Sequence, residues 1–189
     1  MFFGDKELIF DKPLIMGIIN LTPDSFSDGG KFLKKNSDRD IDKNKVQKEL
    51  EVLENNGASF IDIGAESTRP GHKTISIQQE IDRLMPVLEL ISKSNCVISI
   101  DTRKPEVMKE ALKYPVGLIN DVSALESLEA KEIIRDANIP VCVMHNRRVK
   151  SISIEDDIKK FFKDKIQELT SFGISKEVQI CLENLLPIP

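Results

Sequence analysis

"CVISIDTRKPEVMKEALK" (residues 96–113) holds the unit from which the rest of the chain is built. Residues 96–101 are short and apolar on successive positions rather than alternate ones, the pattern of a strand covered on both faces. The run breaks at Asp101-Thr102-Arg103, and Pro105 then takes a favoured first-turn position in a helical pattern over 104–113. Strand, polar tip and helix recur in that order on both sides of this stretch. The same signals predict strands at 14–20, 59–65, 116–121 and 140–145, and helices within 44–57, 76–93, 127–138 and 153–173. Val46, Leu50 and Leu53 form the apolar stripe of the first helix, which ends at Asn56-Gly57. Ser76 is the expected N-cap of the second, and Pro86 is expected to kink it. A further strand is expected at 177–183, a short hairpin or cap at 2–13, and a mobile polar loop at 31–44.

Regular β-α alternation predicts an α/β fold with a parallel sheet and helices outside. A doubly wound sheet and a (β/α)8 barrel both satisfy it. No G-x-G-x-x-G follows the first strand, which counts against a dinucleotide fold. The 189 residues, with 40% hydrophobic and 31% charged, suit a single soluble domain over 1–189. A net charge of -4 supplies no field for nucleic acid or a membrane surface. No apolar run nears the ~18 residues of a membrane span, and the opening residues do not read as a signal peptide. Cys96, Cys142 and Cys181 sit in apolar surroundings without CxxC spacing, so reduced core thiols and a cytoplasmic location are expected.

In either architecture ligands bind at the carboxyl ends of the strands, and here those ends are polar. The first runs into Asn20, then Thr22, Pro23, Asp24, Ser25 and Phe26; the second ends with Asp62, Glu66, Ser67, Thr68 and Arg69. The next three end at Asp101, at Asn120-Asp121 and at His145. Each has a plainer explanation. Asp101 suits the free amides of the following helix, Asn120 a turn cap, and Arg69 a solvated surface. His72 and His145, lacking i+4 partners, suit structural roles better than metal ligation. Together they point to a site. Asp101 and Asn120 offer an acceptor-only group beside an amide, which suits the edge of a flat, nitrogen-rich heterocycle. Thr68 and Arg69 suit an anion, and Asn20 offers a neutral oxygen to a magnesium ion bridging phosphates. Phe26 suits the cover of an aromatic second substrate.

The stretches "MGIINLTPDSFSDGG" (16–30), "GASFIDIGAESTRPG" (57–71), "SIDTRKPEV" (99–107), "INDVSAL" (119–125) and "VCVMH" (141–145) resemble, in order and spacing, the dihydropteroate synthase family. The resemblance implies an incomplete (β/α)8 TIM barrel of about five to six βα units with a short N-terminal hairpin. It implies a transferase of folate biosynthesis that condenses 6-hydroxymethyl-7,8-dihydropterin diphosphate with p-aminobenzoate. Carried over by position, Asp101 and Asn120 grip the pterin ring, with Val122 and Met144 as apolar walls. Asn20 binds Mg2+ and the diphosphate, while Thr68 and Arg69, with Asp24, Ser25 and Phe26, close over p-aminobenzoate. Asp101, Asn120 and Arg69 are the catalytic set so implied.

The likeness is close to about residue 150. Where the family has an Asp-Pro-Gly-x-Gly-Phe motif this chain reads "VQICLENLLPIP", with an atypical tail over 178–189. The family's later lysine and Arg-x-His are not found. A truncated synthase with open sheet edges, weak or absent turnover and a need for a second copy or a complementing fragment is therefore expected. The alternatives are a non-catalytic remnant or half-barrel, and a pterin-dependent methyltransferase-type domain. "TPDSFSDGG" and "ESTRPG" favour the synthase over the last of these.

Overall fold

The computed structural model of the chain describes residues 1–23, 30–35, 37, 39–67, 74–146 and 153–176, together with the backbone of 179–182. The hairpin strands β1 (Phe2–Phe3) and β2 (Lys6–Glu7) come first. Then follow β3 (Ile15–Asn20), α1 (Lys43–Asn55), β4 (Ala58–Gly64), α2 (Ile77–Ile91), β5 (Val97–Asp101) and α3 (Pro105–Ala111). The series ends with β6 (Val116–Asp121), α4 (Leu128–Ala137), β7 (Val141–Met144), α5 (Ile154–Phe172) and β8 (Gln179–Leu182). The six strands from β3 to β8 form one parallel sheet in strictly sequential order. A doubly wound sheet reverses direction at its middle. A sequential one turns every crossover the same way, puts all helices on one face and curls about the other. The chain is thus an incomplete (β/α)8 barrel, with β8 pairing along β7 where a sixth barrel strand was expected.

Side-chain parity divides the strands between two cores. Ile61 and Ile63, Ile98 and Ile100, Ile119, and Val141 and Val143 pack outward against Leu50, Leu84, Leu88, Met108 and Ile134 of the helices. The alternate residues Phe60, Val97 and Leu118 face the concave side and meet Phe3 of the hairpin. The rings of Phe3 and Phe60 meet edge-on at 4.9 Å. The hairpin is therefore the floor of the barrel. It fits because residue 117 is glycine: a Cβ there would lie 2.7 Å from the Phe3 carbonyl oxygen. Gly4 makes the turn at φ +63°, a conformation that side chains disfavour.

The helix starts follow capping chemistry. Ser76 forms a reciprocal capping box with Gln79, and Asp42, Ser127 and Ser153 accept from backbone amides of α1, α4 and α5. The helix α2 continues past Pro86 to Ile91. The expectation of a mobile loop at 31–44 is corrected. Among its described residues Phe32, Leu33 and Ile41 are buried in the main core. Leu33 bridges Ile41, and the Asp42 amide donates to the Phe32 carbonyl at 2.7 Å. Three scattered apolar residues anchor a segment whose charges masked them.

At the edge of the sheet, Met16 and Ile18 of β3 are 40% and 55% exposed. No helix among the described residues is long and apolar enough to cross a membrane.

Candidate active site

Parallel register sets Asn20, Gly64, Asp101, Asn120 and Cys142 side by side across the carboxyl end of the sheet. The order of the strands thus brings together residues spread over more than a hundred positions of sequence. Gly64 supplies no side chain between its neighbours. A Cβ there would stand 3.4 Å from Asp101 Oδ2 and 3.6 Å from Asn20 Oδ1, so the gap is lined by oxygen. Asp101 and Val122 line one small cleft of about 80 Å³, and Val122 and Met144 line an adjoining one of about 340 Å³. Asp24, Ser25, Phe26, Thr68 and Arg69 lie outside the described residues.

Two residues below this rank sits Asp62, buried on the concave face. Its Oδ1 accepts from the Ser99 hydroxyl at 2.5 Å and its Oδ2 from Asn120 Nδ2 at 3.3 Å. Burial pushes the Asp62 carboxyl above its ordinary pKa, and those two hydrogen bonds offset only part of the rise. The carboxyl of Asp101 is raised well above the ordinary range, first by burial and then by the negative charges of Asp62, Glu80, Asp121 and Glu66. Among the described residues Asn120 Oδ1 is buried and without a hydrogen-bond partner. An orphaned buried acceptor is costly, and the N–H of a bound ligand would satisfy it.

The plainer explanations for these residues fall to their neighbours. The Asp101 carboxylate does not cap α3, whose N-cap is Lys104 without a side-chain cap bond. The turn after β6 is held by Asp121, not by Asn120. Asp121 accepts from the Ser123 amide and hydroxyl and from the Leu125 amide at 2.7–2.8 Å. Those bonds stabilise Ala124 and Leu125 at φ 55° and 53°, strained for residues with a side chain. His145 pairs with Asp157 of α5 at 2.7 Å and stacks edge-on against Phe161, the structural role expected of it.

A charged cluster that the sequence did not reveal supports the rim. Lys104 Nζ donates to Glu80 at 2.7 Å and to the Ile75 carbonyl at 2.8 Å, and lies 3.2 Å from Glu66. Thr102 donates to Glu80 and the Ile75 amide to Glu66. Burial alone would raise the Glu66 carboxyl, but the Ile75 amide, Lys104 and Arg103 outweigh it and hold the group below its usual pKa. Lys104→Met is expected to cost about 3–5 kcal/mol in chemical denaturation, because it removes the cation paired with buried Glu80, while Glu66 keeps Arg103 and the Ile75 amide. A loss under about 1 kcal/mol would mean that the cluster is a solvated surface pair.

For a metal, Asn20 Oδ1 beside the Gly64 gap is a donor of the type Mg2+ accepts. Among the described residues no group of three or more His, Cys, Asp or Glu side chains could hold a metal ion. A single neutral oxygen of this kind would fit one position in the shell of such an ion.

Comparison with known proteins places the fold in a family. The family model described as "Pterin binding enzyme" matches residues 16–184. Dihydropteroate synthase of Escherichia coli (strain K12) is 37% identical over 186 residues, covering 94% of this chain and 63% of its own length. The Yersinia pestis dihydropteroate synthase, solved as a sulfonamide drug complex, superposes with a TM-score of 0.82 at 33% identity, covering 92% of this chain and 63% of that one. The Burkholderia cenocepacia dihydropteroate synthase, solved with 7,8-dihydropteroate, gives 0.79 at 30% identity, covering 94% and 60%. The chain spans a little under two thirds of the length of these relatives. By fold and by this match over most of its length, the chain belongs to the pterin binding enzyme family.

Proposed function

We propose that the chain binds 6-hydroxymethyl-7,8-dihydropterin diphosphate and presents its methylene carbon to p-aminobenzoate, the dihydropteroate synthase reaction. The observation that carries this reading is the rank of Asn20, Gly64, Asp101 and Asn120, with an unpartnered buried acceptor on Asn120. The ring lies edge-on to Asp101 and Asn120, which take up its N–H groups, with Val122 and Met144 against its faces. Burial of Asp101 makes those hydrogen bonds stronger than they are in water. Asn20, with Thr68 and Arg69 of the following loop, holds the diphosphate. Asp24, Ser25 and Phe26 close over p-aminobenzoate and exclude water.

The amine nitrogen attacks the methylene carbon as the C–O bond to diphosphate breaks. The bonding pair leaves with diphosphate, and the nitrogen loses one proton to solvent. Diphosphate is a good leaving group, so positioning and charge stabilisation supply most of the acceleration. Asn20 would hold an Mg2+ ion, which when bound would supply neutralisation of the departing charge. Among the described residues β3 and β8 are the outer strands of the sheet, where a second copy or a complementing fragment would pair.

The test is dihydropteroate formation from the two substrates with Mg2+, alongside equilibrium binding of the pterin diphosphate. Saturable binding that Asp101→Asn weakens supports the reading, and product formation extends it to catalysis. Failure of the pterin diphosphate to bind overturns it.

A further inference from the structure

The acceptor that Asn120 presents has a cause two residues deeper in the barrel. Two groups meet the buried Asp62 side chain, and both donate to it. The Ser99 hydroxyl does so at Oδ1, and the Asn120 amide nitrogen at Oδ2. Ser99 is fully buried and stands in register with Asp62, so this contact is built into the β4–β5 ladder. With its nitrogen turned down to Asp62, the Asn120 amide must turn its oxygen away. That oxygen is the buried acceptor without a partner among the described residues. Phe60, Val97 and Leu118 below form an apolar floor that offers no competing donor or acceptor side chain.

We propose that Asp62 and Ser99 are positioning residues that lock the Asn120 amide in one of its two orientations, and that this lock makes the site select a ring amino group over a ring carbonyl. The inference rests on the pterin reading above and adds to it the origin of ring selectivity. An asparagine side chain presents donor and acceptor side by side, and a half-turn about its terminal bond exchanges them. Unlocked, Asn120 would accept either of two opposite hydrogen-bond patterns. Locked, it rejects one of them, since two acceptors facing each other in a buried site leave both unpaired.

The probes are 6-hydroxymethylpterin and 6-hydroxymethyllumazine. The second has a carbonyl where the first has an amino group, and a hydrogen on the adjacent ring nitrogen, so it presents the reversed pattern. The full chain is expected to prefer the pterin. Asp62→Asn, which can donate to Asn120 as well as accept, is expected to shrink that preference on the order of tenfold. Ser99→Ala loosens the carboxylate without removing it and is expected to shrink the preference by about two- to threefold. If Asp62→Asn does not fold, Ser99→Ala carries the test. A purely structural role predicts equal losses for both ligands, so an unchanged preference ratio in the folded variants overturns the inference alone. Binding of neither ligand by the unaltered chain overturns the pterin reading and this inference with it.

Discussion

Asp101→Asn is expected to make the protein more stable at neutral pH while removing most of its affinity for the pterin ring. The two effects have one cause. Burial, and then the charges of Asp62, Glu80, Asp121 and Glu66, disfavour the ionised carboxylate and raise its pKa well above the ordinary aspartate range. A carboxyl with a raised folded-state pKa contributes its full stability below its unfolded pKa. That contribution is lost as pH rises from the ordinary aspartate range through the raised value. At neutral pH the native residue therefore bears a cost that asparagine, of the same shape, does not. A gain of about 1 kcal/mol corresponds to roughly 2–4 °C in Tm for a chain of this size. The gain shrinks as pH falls through that window, because the carboxyl is then protonated in the wild type too. Binding moves the other way: replacing the acceptor with an amide leaves a buried ring N–H badly paired, which costs about 1–3 kcal/mol, or roughly 5- to 150-fold in Kd. Thermal melts across pH, with calorimetric titration of the pterin, read both. A lower Tm at neutral pH, or an unchanged Kd, contradicts the assignment of Asp101 to the site.

The second large effect lies at the opposite end of the barrel. Phe3→Ala is expected to cost about 3–5 kcal/mol, the usual loss for a fully buried aromatic. Phe3 is 1% exposed and packs on Phe60, Val97 and Leu118. Gly117→Ala attacks the same contact from the sheet side. Its new Cβ would meet the Phe3 carbonyl oxygen at 2.7 Å and Val97 Cγ1 at 2.8 Å, so the hairpin backbone must lift. A loss of about 1–3 kcal/mol is expected. The two changes disturb one interface, so the double variant should lose less than the sum, by at least ~0.5 kcal/mol. Denaturant melts of the four proteins measure this. Strict additivity would show that the hairpin is not the floor of the barrel.

Much of this fold was legible because parallel strands buried on both faces leave an unambiguous trace. The strand expected at 96–101 is Val97–Asp101 and that at 116–121 is Val116–Asp121. Ser76 and Pro105 mark helix starts as their chemistry requires. The loop 31–44 was misread because Phe32, Leu33 and Ile41 follow no helical or strand period, and only tertiary contact reveals them as anchors. The hairpin was anticipated, but not its task, since nothing local to Phe3 says that it meets Gly117.

At the site, Asn20, Asp101 and Asn120 could be placed on one rank because strand ends align in a parallel sheet. Asp62 stood among the polar strand ends in the sequence, but nothing there showed that it pairs with Ser99 and Asn120. Ser99 was hidden by its ordinary polarity. The Glu66–Lys104–Glu80 cluster joins three separate elements and has no sequence signature at all.

The most direct measurement is a crystal structure of the protein soaked with 6-hydroxymethylpterin. The expected result is a ring whose N–H edge meets the Asp101 carboxylate and Asn120 Oδ1, between Val122 and Met144, with its hydroxymethyl group toward Asn20. A ring bound elsewhere, or Asn20, Asp101 and Asn120 turned away from one another, would contradict a shared pterin pocket at the strand ends.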